Sequence, residues 1–171
     1  MKRYIRVLAS LVFLVASVAF GAELKKPVTS IELNDGDTFV FLGDSITHQC
    51  LYTQYVEDYF YTRYPDRRIR FHNAGVSGDK ATHALRRFDR DVAAFKPKYV
   101  TILLGMNDGT YRHFEHDIFA AYERDMSKLM DQLSELGATT IAMGPSMYDS
   151  RVARAKPPRW LKDTEQVKLA T

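Results

Sequence analysis

The chain has 171 residues, 46% hydrophobic and 26% charged, which excludes a disordered segment and gives one domain enough length for a core of its own. Lys2, Arg3 and Arg6 supply the whole formal charge of +3, and the rest of the chain is neutral, so charge gives no ground for a nucleic-acid partner. Cys50 is the single cysteine, which excludes an intrachain disulfide.

The N-terminus differs in kind from the rest of the chain. Met1 to Arg6 is a basic start, Val7 to Phe20 is uncharged and mostly apolar, and Ala19 and Gly21 place small residues at −3 and −1 of a cleavage point. This is the layout of a secretory signal peptide. The apolar run is shorter than the roughly 20 residues a spanning helix needs. The expected division is a signal peptide over 1–21, a lead-in segment over 22–37 and one domain over 38–171. The mature protein is expected to be secreted or periplasmic, with no stable membrane anchor after cleavage.

Thr38 to Leu42 is a short β-branched and aromatic run that ends at Gly43, which predicts a buried strand. Leu51 to Tyr64 has helical spacing, with Leu51, Tyr55, Val56, Tyr59 and Phe60 predicted inward and Pro65 just past the end. Ile69 to His72 predicts a second strand. Lys80 to Phe95 predicts one helix, with Ala84, Leu85, Phe88, Val92 and Phe95 on its core face and Pro97 beyond. Tyr99 to Leu104 is the third strand, and Gly105 to His116 a polar loop. A long helix comes next over Asp117 to Leu136, with Ile118, Tyr122, Met126, Leu129 and Leu133 inward and Gly137 as its stop. Thr139 to Met143 is the fourth strand.

Strands that alternate with helices imply right-handed βαβ units and a parallel sheet, so the class is α/β. After Pro145 the pattern weakens, and only Trp160 to Leu169 has helical spacing. A further βαβ layer takes roughly 30 residues, and the last strand–helix unit is expected to be missing.

Three polar motifs come directly after three of the predicted strands: Gly43-Asp44-Ser45, Asn73 to Asp79, and Gly105 to Gly109. In an open α/β sheet that edge binds ligands. Ser45 stands where a nucleophile can be exposed, although Asp and Ser are also common helix caps. Gly78 can bring its N–H into a cleft. Asn107 can offer its side-chain amide to the same point, although Asn-Asp-Gly is also an ordinary turn. As one site, the three provide a nucleophile and donors for an oxyanion, each donor worth about 2.7–4 kcal/mol in a transition state.

The order and wording of these motifs, over residues 38–145, resemble the SGNH, or GDSL-type, hydrolases. The resemblance implies a three-layer α/β/α, flavodoxin-like fold and a serine esterase. It implies Ser45 as nucleophile, Gly78 and Asn107 as oxyanion hole, and Asp44 and Asp108 as loop supports. Small-molecule, acetyl-carbohydrate or lipid esters would be substrates, with no cofactor and no metal. The family's fourth element is an Asp-x-x-His that carries the base, and no Asp-x-x-His occurs in this sequence. His48, three residues after Ser45, and His113 and His116, in the loop after Asn107, are the remaining candidates; His72 and His83 read as strand-end and helix-surface residues. The expectation is an esterase domain incomplete at its C-terminus. The alternatives are a non-catalytic module that holds a carbohydrate or acylated ligand in the same cleft, and an inactive fragment. Tyr52, Tyr55, Tyr111 and Phe114 are aromatics that could line a pocket.

Overall fold

Phe39, Val40, Phe41 and Leu42 are all fully buried because β1 (Thr38–Gly43) is an inner strand with a layer of helices on each face. The computed structural model describes residues 28–111 and 114–145; the expected signal peptide and the segment after Pro145 lie outside them. Four parallel strands lie in the order β2-β1-β3-β4, with β2 over Arg70–Gly75, β3 over Tyr99–Leu103 and β4 over Thr139–Ala142. The expected α/β class and parallel sheet are therefore observed.

The strand alternation divides the core in two. Phe39 and Phe41 face α2 (Leu51–Arg63) in a cluster with Leu33, Phe60, Ile69 and Tyr99. Val40 and Leu42 face the other layer, which holds α3 (Ala81–Arg86), α4 (Phe88–Asp91) and α5 (His116–Glu135). Burial of one such side chain contributes roughly 1.5–3 kcal/mol. Met126, Leu129 and Leu133 recur at helical spacing and bury the inner stripe of α5. That helix stops at Gly137, whose φ of +78° lets Ala138 N–H reach back to the Leu133 carbonyl at 3.0 Å.

Two expectations fail locally. The helix expected over 80–95 is broken into α3, α4 and a 3-10 turn at Ala93–Phe95, with non-helical backbone at Arg87 and Val92. Ala84, Phe88 and Val92 still point inward, but Phe95 is 39% exposed and stacks on His72, a partly buried residue within β2 rather than at its end. In α2 the buried face is rotated from the expected one. Leu51, Tyr55 and Tyr59 are exposed, while Thr53 and Phe60 are buried and Tyr52, Val56 and Tyr64 pack beside them. Polar partners set the rotation: the Tyr52 hydroxyl lies 2.9 Å from Thr47 Oγ1, and Thr53 Oγ1 donates to the Cys50 carbonyl.

Candidate active site

The register aligns Gly43 with both Gly75 and Leu103, so β1, β2 and β3 end at one edge of the sheet. The polar segments beyond them therefore emerge side by side. After β1 the chain turns straight into the one-turn helix α1 (Ser45–His48). Asp44 caps it: its Oδ1 accepts the Ile46 N–H at 3.0 Å, and the residue is 1% exposed. Ser45 is the first helical residue and is half-buried.

The helix lies directly on the end of β2. A Cβ on Gly75 would stand 2.6 Å from the Thr47 carbonyl carbon and 2.8 Å from His48 Cα, so only glycine allows this approach. Asn73 ties the same two pieces together. Its Nδ2 donates to the Thr47 carbonyl at 2.7 Å and its Oδ1 accepts the Gly75 N–H at 2.8 Å.

The second segment turns through Gly78 at a φ of +81°. Val76 N–H donates to the Gly43 carbonyl at 3.0 Å and Asp79 N–H to the Val76 carbonyl at 3.1 Å, which closes the turn against the end of β1. The third segment supplies Asn107. Its Nδ2 donates to the Asp79 carbonyl at 2.9 Å and to Asp44 Oδ2 at 3.4 Å. One amide thus bridges the residue after Gly78 and the residue before Ser45. Asp108 Oδ1 accepts the Ala81 N–H at 2.9 Å, fixing the start of α3, and burial pushes its carboxyl above the usual carboxylate range.

The structure thus brings together all five residues singled out by the motifs: Asp44, Ser45, Gly78, Asn107 and Asp108. The main-chain N–H groups of Ser45 and Gly78 have no acceptor among the described residues. Both can serve as donors at the site.

The histidines are placed differently. His48 is exposed, with its Nδ1 3.1 Å from the Gly75 carbonyl. A ring nitrogen that faces a carbonyl acts as donor, which leaves Nε2 unprotonated in the neutral ring. Among the described residues no hydrogen bond joins Ser45 to a histidine. His83 Nδ1 lies 3.6 Å from Asp79 Oδ1. His116 opens α5 on the surface beside Phe114, and His113 lies outside the described residues.

Of the aromatics, Tyr55 is exposed on α2 and Tyr52 is held on Thr47, where burial raises its hydroxyl above the usual tyrosine value. The Tyr111 hydroxyl donates to Asn107 Oδ1 at 3.3 Å, which orients the amide. Phe114 is exposed beside a recess that Ile118, Phe119, Tyr122 and Pro145 also line.

Motif reading missed an ionic chain behind the site. Arg87 Nε donates to Asp79 Oδ2 at 2.7 Å, one terminal nitrogen to Asp91 Oδ2 at 3.2 Å and the other to the Gly43 carbonyl at 3.3 Å. The side chain of this arginine is only 9% exposed. Arg86 and Arg87 read alike in the sequence as helix-surface charges, and no periodicity separates them.

Comparison with known proteins identifies a family and a fold. The model of the GDSL-like lipase/acylhydrolase family matches residues 41–167. An acetylxylan esterase of Geobacillus stearothermophilus is 28% identical over 138 residues, which are 67% of this chain. The chain spans 62% of that esterase's length. The crystal structure of an acetylxylan esterase from the same organism superposes with a TM-score of 0.61 at 26% identity, covering 82% of this chain and 74% of that one. Variants of it described as catalytic mutants replace a serine, an aspartate and a histidine. A gut microbial diltiazem-metabolizing enzyme superposes with a TM-score of 0.68 at 26% identity, covering 83% of this chain and 34% of that one.

Proposed function

The chain belongs to the GDSL-like lipase/acylhydrolase family, and on that footing we propose that it is a serine ester hydrolase domain in which Ser45 takes the acyl group. The observation that carries this reading is the meeting of the three motifs at one sheet edge, with Asn107 bridging the residues beside Ser45 and Gly78. Ser45 Oγ attacks the acyl carbonyl, the ester C–O bond breaks with the serine proton passing through a base to the departing alkoxide, and water then frees the acid from the acyl-serine. The developing oxyanion takes the N–H groups of Ser45 and Gly78 and one hydrogen of the Asn107 amide, each worth about 2.7–4 kcal/mol. Asp44 and Asp108 hold the loops through Ile46 N–H and Ala81 N–H rather than touching substrate.

The similarity to an acetylxylan esterase supports acetylated carbohydrate as the substrate class, with short acyl or lipid esters next. The N-terminal layout supports export, with residues 1–21 removed; the mass of the exported product tests that. Serine attack needs a proton acceptor, and this reading places it outside the described residues.

The test is p-nitrophenyl acetate turnover by the full chain and by Ser45→Ala, with mass spectrometry of the peptide that contains Ser45. Ser45-dependent release and an acetyl adduct on that peptide are expected. Oxyanion donors and binding alone sustain about 10³–10⁴-fold acceleration over water even when the serine is removed, so the rate above that of Ser45→Ala, together with the adduct, is what reports on Ser45. Turnover in folded Ser45→Ala equal to that of the full chain, with no acetyl adduct on the Ser45 peptide, overturns the assignment. The absence of an Asp-x-x-His favours a second reading, a non-catalytic module in the same cleft. It predicts binding of acetylated xylo-oligosaccharide with no Ser45-dependent turnover.

A further inference from the structure

We infer that Arg87 is a positioning residue for the oxyanion donors, acting through Asp79 and the Gly43 carbonyl; the inference rests on the esterase reading above. Arg87 stands outside the three motifs and touches none of Ser45, Gly78 or Asn107 directly. Its guanidinium nevertheless reaches both segments that carry the N–H donors. On one side, Nε donates to Asp79 Oδ2 at 2.7 Å. Asp79 is the residue directly after Gly78, and its carbonyl receives the Asn107 amide at 2.9 Å. On the other side, a terminal nitrogen donates to the Gly43 carbonyl at 3.3 Å. That carbonyl also accepts Val76 N–H at 3.0 Å, and its residue immediately precedes Asp44 and Ser45.

Three features set this contact apart from a surface pair. The side chains of Arg87 and Asp79 are each 9% exposed, so both charges are desolvated and need each other. A planar fork with five donors is the one side chain that can serve two carboxylates and a carbonyl at once; a lysine ammonium is a point charge on a flexible stem. Finally, the helix expected over 80–95 breaks at Arg87 itself, where φ is −111° and ψ is 6°. The break falls at the residue whose side chain turns inward to the strand ends. Asp91 takes the remaining nitrogen at 3.2 Å.

The experiment uses the full chain with Arg87→Lys, Arg87→Gln and Asp91→Asn. Amide hydrogen exchange is measured at Val76 and Asp79, with Val40 and Ile102 as core references. Kinetics of p-nitrophenyl acetate hydrolysis and thermal midpoints are measured on the same samples. In Arg87→Lys, exchange at Val76 and Asp79 is expected to accelerate while the core references hold. The kcat is expected to fall about 10- to 100-fold with KM within about twofold, the signature of donors that no longer meet the transition state in the right place. Asp91→Asn is expected to lower the thermal midpoint yet keep kcat within about twofold.

Unchanged exchange at Val76 and Asp79 in folded Arg87→Lys overturns the inference. So does a kcat that falls in Asp91→Asn as far as in Arg87→Lys at equal loss of thermal midpoint, since that is a purely structural role. Should Arg87→Gln fail to fold, Arg87→Lys carries the same decision. If no variant, wild type included, shows Ser45-dependent turnover, the esterase reading fails, and exchange alone decides whether Arg87 holds the two segments.

Discussion

Replacing Gly75 by alanine adds one methyl group at the place where β2 and α1 touch. The new Cβ would lie 2.6 Å from the Thr47 carbonyl carbon and 2.8 Å from His48 Cα, and closer still to the His48 nitrogen. All three are main-chain atoms, so no side chain can swing aside. To restore ordinary contact, α1 must retreat by roughly 1 Å, and such overpacking typically costs about 1–3 kcal/mol. The retreat also stretches the bond from Asn73 Nδ2 to the Thr47 carbonyl, now 2.7 Å, a further contribution of about 0.5–1.5 kcal/mol. Urea unfolding should therefore show a loss of about 2–4 kcal/mol. Ser45 travels with α1, and a displacement of about 1 Å costs an active site roughly 10²-fold in rate. Ser45-dependent ester turnover measured on the folded variant should fall by that order. An unfolding free energy within about 0.5 kcal/mol of wild type, with turnover unchanged, would refute the claim that glycine is needed for this approach.

Gly78→Ala is the contrasting case. Its Cβ meets nothing within 4 Å, but φ is +81°, so the expected loss is left-handed strain of about 1–2 kcal/mol in urea unfolding, and a neutral result would show the turn relaxing freely. Asn73→Asp keeps the acceptor for Gly75 N–H but turns the donor to the Thr47 carbonyl into a second acceptor, which should cost about 1–3 kcal/mol. An unaltered denaturation midpoint would mean that Asn73 does not clamp α1. Asp108→Asn probes pH dependence. Burial raises the folded carboxyl above its ordinary 3.8, so the stability linked to its proton is full below that value and is lost as pH rises through the folded one. Asparagine keeps an oxygen for Ala81 N–H and has no proton to lose. The variant's thermal midpoint should match wild type in acid and exceed it increasingly toward neutrality; a gap that does not change with pH would count against the assignment.

The strands were legible where burial is two-sided. Thr38 to Leu42 and Tyr99 to Leu104 are apolar runs without alternation, and both became inner strands. The inner stripe of α5 was legible too, because Met126, Leu129 and Leu133 repeat among charges. In α2 the pattern misled, since Tyr52, Tyr55, Tyr59, Tyr61 and Tyr64 put aromatics on every side of the helix. The side that turned inward was chosen by hydrogen bonds, from Tyr52 to Thr47 and from Thr53 to Cys50, which periodicity cannot register. The helix break at Arg87 was hidden for the same reason. It falls at a residue whose guanidinium reaches 44 residues back in sequence to the Gly43 carbonyl. Motif residues were visible because each stands just past a strand; the bonds that hold them were not, because they run between segments far apart in the chain.

Those bonds also bear on how the proposed oxyanion hole works. Asn107 has two amide hydrogens, and both are engaged. The bond to the Asp79 carbonyl is 2.9 Å, whereas that to Asp44 Oδ2 is 3.4 Å, near the limit for such a bond. A substrate oxyanion competes with the longer of the two. If it displaces Asp44, the Asp79 bond and the Tyr111 hydroxyl on Oδ1 still fix the plane of the amide. One hydrogen then serves the substrate while the other keeps the group aimed, so little reorganisation is required when charge develops. Asp44 does not lose its role in the exchange, because Oδ1 goes on capping α1 through Ile46 N–H. The precision of the donor therefore depends on Asp79, and hence on the arginine that holds it.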